Sequence, residues 1–230
     1  MMFQIADALN AEELKEINDA LDGESYVDGR ETAANAASLV KRNVQLSAGS
    51  EMRAKISNKI AAAMRRNQMF LWLAMPKEIG PFHLTRYEET HTYGDHVDNS
   101  IMGLQAGNPM RADISMTIFL NEPEDYDGGE LIMNSRINPQ AIKLPAGHAI
   151  VYPTGEFHRV EPVTRGVRSV AITWIQSIIR DVHQRQVLTD IWTAMDGVSK
   201  LTPEDKLDEN QPYRSLSKTH WGLLRLWSES

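Results

Sequence analysis

His96-Val97-Asp98 places an imidazole and a carboxylate two positions apart. In an extended segment, side chains at i and i+2 project from the same face, so both can reach one metal ion. A further imidazole, His158, stands far along the chain in Phe157-His158-Arg159-Val160, just after the turn Pro153-Thr154-Gly155. Two imidazoles and one carboxylate make the facial ligand set of non-heme iron(II) sites, which leaves coordination positions open for other ligands. Taken singly, a His-x-Asp pair is unspecific, and His158 fits a hydrogen-bonded strand histidine as well as a ligand. Arg168, within Gly166-Val167-Arg168-Ser169-Val170-Ala171-Ile172, poses a related choice. A guanidinium inside an apolar strand is costly unless a carboxylate pairs with it. Its planar fork suits a bound carboxylate ligand, and an internal Asp or Glu would serve equally. His83, His91, His148, His183 and His220 show no ligand spacing to a second histidine or acid, which assigns them surface or structural roles. The chain carries no Gly-x-Ser-x-Gly, no phosphate loop and no Gly-x-Gly-x-x-Gly.

Bringing residues so distant in sequence to one face requires strands that lie side by side. Short β-like runs occur at 82–87, 113–120, 129–133, 141–144, 149–152, 157–160 and 167–175, separated by turn signals such as Asp127-Gly128-Gly129 and Pro145-Ala146-Gly147. Short strands with no helices between them predict a sandwich or jelly roll rather than a parallel α/β sheet. Residues 99–109 read as a loop between two of the strands. Ahead of this zone, to about residue 68, the pattern is helical. Asn10 and Glu13 form a capping box opening a helix with Leu14, Ile17 and Leu21 on one face. Over 50–66, Met52, Ile56, Ile60, Ala63 and Met64 recur at helical spacing and are assigned to the core. Helix returns over 176–194 with a stop at Gly197, and again over 215–227.

With 230 residues, 42% of them hydrophobic, the chain can bury a substantial core. No apolar run approaches the roughly 18–20 residues of a membrane span. The start Met1-Met2-Phe3-Gln4-Ile5-Ala6-Asp7 has no basic segment ahead of an apolar one, so no secretory signal is expected and a cytoplasmic location is. A net charge of −7 without basic blocks argues against nucleic acid as partner, and with no apolar span no membrane partner is expected. The absence of cysteine excludes disulfides, thiolate zinc sites, iron–sulfur clusters and a cysteine nucleophile, so any metal is held by histidine and carboxylate. Trp192, Trp221 and Trp227 in the C-terminal helical zone suggest a homo-oligomer contact.

An ordered series of segments resembles the iron(II)/2-oxoglutarate-dependent dioxygenases, and among them the PKHD-type (prolyl/lysyl hydroxylase domain) hydroxylases. The series is Arg86-Tyr87, Tyr93-Gly94-Asp95-His96-Val97-Asp98-Asn99, Asp125-Tyr126-Asp127-Gly128-Gly129-Glu130-Leu131 and Lys143-Leu144-Pro145-Ala146-Gly147. It continues with His158-Arg159-Val160-Glu161-Pro162-Val163-Thr164-Arg165-Gly166-Val167-Arg168 and Trp174-Ile175-Gln176-Ser177. The resemblance implies a mainly β fold with helical flanks, a double-stranded β-helix of the jelly-roll, cupin-like kind. It implies a jelly-roll domain over 78–178, an N-terminal helical region over 1–77 and a C-terminal helical region over 179–230. It implies iron on His96, Asp98 and His158, and the distal carboxylate of 2-oxoglutarate on Arg168 with Tyr87. Asp127-Gly128-Gly129-Glu130-Leu131 is read as a structural turn and strand. The implied reaction hydroxylates an unactivated C–H bond with dioxygen, coupled to decarboxylation of 2-oxoglutarate to succinate and carbon dioxide, with L-ascorbate as a further cofactor.

Two other readings compete. A module that senses iron or 2-oxoglutarate without turnover would act through its helical ends, and a metal-free jelly roll would make the motif series coincidental. The substrate, whether a protein residue, a free amino acid or another metabolite, is not readable. Residues 88–95 and 99–109 flank the metal set and are expected to contact the substrate.

Overall fold

The computed structural model describes residues 2–32, 35–104, 106–134 and 138–229; of Asn35 and Ala36 it describes the backbone alone, and Gln105, inside the expected loop 99–109, lies outside the described residues. The longest strand, Arg168–Ser177, alternates buried with half-buried residues, the signature of a strand covered on both faces. It pairs antiparallel with Ile114–Phe119 on one side and with His83–Tyr87 and Pro76–Ile79 on the other. Around it grows an eight-stranded sheet: seven strands ordered Phe3–Ile5, Ala149–Pro153, Ile114–Phe119, Arg168–Ser177, His83–Tyr87, Val44–Leu46 and Tyr26–Asp28, with Pro76–Ile79 off this path beside Arg168–Ser177. A second sheet of five strands is ordered Gln140–Ile142, Leu131–Met133, His158–Val160, Thr92–His96 and Lys41–Arg42.

Alternation in Ile114-Ser115-Met116-Thr117-Ile118-Phe119 divides the two faces of the large sheet. Ile114, Met116 and Ile118 point to the helical side. There they join Ile17, Leu21, Ile56, Ile60, Met64 and Phe70 in one buried cluster. Burying each such side chain contributes ~1.5–3 kcal/mol relative to leaving it exposed. On the opposite face Phe119, Tyr87, Tyr152 and Val170 meet Leu131, Met133, Ile142 and Val160 of the smaller sheet. Two facing antiparallel sheets with helices packed outside are the expected jelly-roll class. The capping box at Asn10 and Glu13 is present, with Asn10 Oδ1 accepting from the Glu13 N–H at 2.8 Å.

The N-terminal zone departs from its helical reading. Besides helices Ala11–Leu21 and Glu51–Arg66 it supplies four short strands, two of which, Lys41–Arg42 and Val44–Leu46, enter different sheets with Asn43 between them. Strands of two or three residues have too few positions to show a period, and their partners lie far away in sequence. The C-terminal helix begins at Val182, not 176, because Gln176 and Ser177 finish the central strand. It also runs through Gly197 to Lys200; the glycine has open space around it and does not end the helix. The last helix, Gln211–Trp227, starts behind the Asn210 cap with Pro212 in its first turn. Trp192 and Trp221 pack on Trp72, with ring centres 5.7 and 5.9 Å away, so both make contacts within the chain although Trp221 stays 48% exposed.

Candidate metal centre

His96 and His158 sit opposite one another on the antiparallel neighbours Thr92–His96 and His158–Val160, with ring centres 4.3 Å apart. Asp98 lies just past the end of its strand and turns its carboxylate between the two rings. Its Oδ1 is 3.7 Å from His96 Nε2 and its Oδ2 is 3.8 Å from His158 Nε2. One donor atom from each residue falls within 4.8 Å of the other two.

Each imidazole is oriented from behind. His96 Nδ1 is 2.8 Å from the Gly94 carbonyl oxygen, and His158 Nδ1 is 2.9 Å from that of Glu156. A carbonyl only accepts, so both Nδ1 atoms carry the proton and both Nε2 atoms present lone pairs. Burial, and then the neighbouring His158, hold the His96 imidazole down at about 4, which keeps it neutral. The Tyr93 ring stacks flat on His96 at 3.6 Å between centres. Ser115, reaching over from the large sheet, donates to Asp98 Oδ2 at 2.8 Å and lies 3.1 Å from the Thr154 hydroxyl. Two imidazoles of fixed tautomer and an anchored carboxylate are the donor set that suits iron(II) with positions left open.

Arg168 is 1% exposed, and its Nε and Nη1 have no hydrogen-bond partner. The internal carboxylate that the sequence left open as its partner is not found among the described residues. The guanidinium instead lies 5.0 Å from the Tyr87 ring centre and 5.4 Å from that of Phe119. Gly129 makes room for it: at φ +68° a Cβ there would stand 3.0 Å from Arg168 Cδ. Asp127 in the same run is tied to Arg165 at 2.7 Å, in keeping with a structural turn.

His96, Asp98, His158, Arg168 and Tyr87 all line one cavity of about 900 Å³. Its walls include residues from Asn99 to Asn108, whereas of 88–95 Tyr93 is the residue that reaches it. His83, read from sequence as surface or structural, lines the cavity too, edge-on to Trp174 at 5.2 Å. Lys41, Asn43, Gln45 and Ser115 were not found from sequence. A serine in an apolar strand carries no motif, and the first three fall in the segment read as helical.

The family model of the 2OG-Fe(II) oxygenase superfamily matches residues 82–176, the stretch that carries this centre. A PKHD-type hydroxylase of Synechococcus sp. is 42% identical over 229 residues, and one of Burkholderia ambifaria 39% over 232, each alignment covering all of both chains. Among solved structures, a Pseudomonas putida prolyl-4-hydroxylase superposes with a TM-score of 0.51 at 20% identity, covering 76% of this chain and 92% of that one, a likeness of fold. The chain belongs to the PKHD-type hydroxylases of the 2OG-Fe(II) oxygenase superfamily. It is an oxidoreductase whose chemistry draws on iron(II), 2-oxoglutarate and dioxygen, and its relatives favour hydroxylation over sensing without turnover. Among the described residues no helix is long and apolar enough to cross a membrane.

Proposed function

We propose that His96, Asp98 and His158 hold iron(II), and that Arg168 with Tyr87 receives the distal carboxylate of 2-oxoglutarate. The substrate, hydroxylated at an unactivated C–H bond, occupies the rest of the cavity. The observation that carries this reading is the Arg168 guanidinium, which has no carboxylate partner among the described residues and is buried in the same cavity as three converging donor atoms. A buried cation without a counter-anion costs several kcal/mol unless a ligand compensates it. Iron(II), when bound, supplies the oxidising chemistry that is coupled to decarboxylation of 2-oxoglutarate to succinate and carbon dioxide.

The protein's share is binding and orientation. The Gly94 and Glu156 carbonyls hold the imidazoles, Ser115 holds the carboxylate, and Arg168 fixes the far end of the keto acid. Burial raises the Tyr87 hydroxyl's pKa, so it stays protonated and can donate to the same carboxylate. L-ascorbate would return oxidised metal to iron(II). The reading includes a cytoplasmic enzyme, no nucleic-acid or membrane partner, and a catalytic unit over 78–178 with flanks 1–77 and 179–230. It also includes homo-oligomerisation through the C-terminal helices, where Trp221 and Leu226 are exposed. The PKHD label makes prolyl and lysyl side chains the first substrates to try.

The test is anaerobic reconstitution with iron(II) and 2-oxoglutarate, read by the weak visible charge-transfer band of the chelated keto acid. The band forms in the wild type and is lost in His158→Ala and Arg168→Ala. Bound metal with no band would sink the reading. Light scattering that finds a 25.9 kDa particle at high concentration would remove the oligomer.

A further inference from the structure

Lys41, Asn43 and Gln45 occupy alternate positions of the segment that crosses from one sheet to the other, and all three line the cavity. Lys41 pairs across the sheet edge with Tyr93, and its ammonium lies 5.4 Å from the centre of that ring. The Tyr93 ring in turn lies on His96. A group held on Lys41 is therefore about two to three residues of extended chain from the metal centre.

The ammonium is poorly satisfied where it is. Its hydrogen bond goes to the Thr32 hydroxyl at 3.1 Å, and no carboxylate among the described residues forms an ion pair with it. Other cations withdrawn from water in the fold are matched by a carboxylate or a backbone carbonyl: Arg111 by Asp113, Arg53 by the Phe82 carbonyl, Arg185 by that of Ile179. Loss of hydration holds Lys41 down at about 8, and the more distant Asp98 and Asp28 offset that only in part. Two residues on, Asn43 is 3% exposed, and its side-chain amide lies beside the Tyr87 hydroxyl.

The cavity thus presents two cations without counter-anions, Arg168 and Lys41. 2-Oxoglutarate brings two carboxylates, and the function proposed above uses one at the metal and one at Arg168. Lys41 is left for an anion from another molecule. Glu31 and Glu78, both exposed, border the same cavity and disfavour a second negative charge on that molecule. We infer that the substrate to be oxidised carries a single carboxylate that docks on Lys41, with the Asn43 amide beside it, and that this contact selects the C–H bond facing the metal. The inference rests on the function proposed above.

Pulsed acetylation with mass mapping tests it on the anaerobic protein loaded with iron(II) and 2-oxoglutarate. The probes are N-acetyl-L-alanine, its uncharged amide, and an end-blocked hexapeptide with one internal glutamate. The acid is expected to slow acetylation of Lys41 tenfold or more and the amide less than twofold, with exposed Lys15 unaffected throughout. Protection by the peptide in place of the free acid would locate the carboxylate on a polypeptide substrate. Equal protection by acid and amide, or protection by no probe, would overturn the inference. So would protection by 2-oxoglutarate alone, which would make Lys41 a cosubstrate ligand. The visible band, recorded on the same samples, reports separately on the iron and 2-oxoglutarate reading.

Discussion

The Ser115 hydroxyl donates to Asp98 Oδ2 at 2.8 Å, joining the large sheet to a carboxylate carried by the smaller one. That bond occupies one lone pair of Oδ2 and fixes the plane of the group, so that Oδ1 faces His96. Partners of this kind tune a metal site although they never touch the metal.

Ser115→Ala is expected to weaken iron(II) binding by about 10–100-fold. The substitution removes one small buried atom, so the fold persists. Anaerobic competition against a chromophoric chelator measures the change, and an unaltered affinity would take Ser115 out of the centre's support.

Arg168→Met has effects of opposite sign on binding and stability. Keto-acid binding falls by at least about two orders of magnitude, because a bidentate charged contact is lost. The ligand-free protein becomes no less stable, since an unpaired buried charge has been replaced by a side chain of similar length. Urea titration of the apo form decides this: a clear loss of stability would mean that the guanidinium has an internal partner after all.

His83 contributes to acid sensitivity. Burial, reinforced by Arg53 and Lys41, holds its imidazole down at about 3, whereas the unfolded chain takes up the proton near 6.5. The unfolded state thus binds more protons at low pH. The contribution is fully present above about 6.5 and is lost progressively as the pH falls toward 3, by at most about 1.4 kcal/mol per pH unit. His83→Gln is expected to flatten the dependence of unfolding free energy on pH between 6 and 4.5 by up to one proton. Parallel curves for variant and wild type would refute it.

His220 is 1% exposed between Trp72 and Trp221, and neither ring nitrogen has a partner. His220→Phe keeps an aromatic ring and removes both unsatisfied groups, so it is expected to stabilise the protein by about 1 kcal/mol. Thermal denaturation checks the sign, and the iron–keto acid band is expected to remain, because this cluster lies outside the cavity. A lower melting temperature would show that the nitrogens are satisfied in solution.

What the sequence reveals is what repeats or what is chemically unusual. The strand Arg168–Ser177 is legible as an apolar run set off by the turn signal at Arg165-Gly166, and helix Glu51–Arg66 from Ile56, Ile60 and Met64 at helical spacing. His96, Asp98, His158 and Arg168 stand out because charged or ligating groups inside β runs demand a reason. Ser115 demands none until Asp98 is seen beside it. Lys41, Asn43 and Gln45 are hidden for another reason: Lys41–Arg42 and Val44–Leu46 are strands through pairing with Tyr93 and Thr85, far along the chain, and with Tyr26–Asp28 across an intervening helix. Local periodicity cannot register a partner that distant.

The crossing of residues 41–46 between the sheets also bears on aggregation. Lys41–Arg42 covers the edge strand Thr92–His96, and Val44–Leu46 covers His83–Tyr87. An unpaired edge offers its free N–H and C=O groups to any passing strand. One short stretch thus guards two such edges, and these edges carry His96 and Tyr87. A chain shortened to begin after residue 46 would lose the polar wall of the cavity and, in the same cut, expose both edges to edge-to-edge association with other copies.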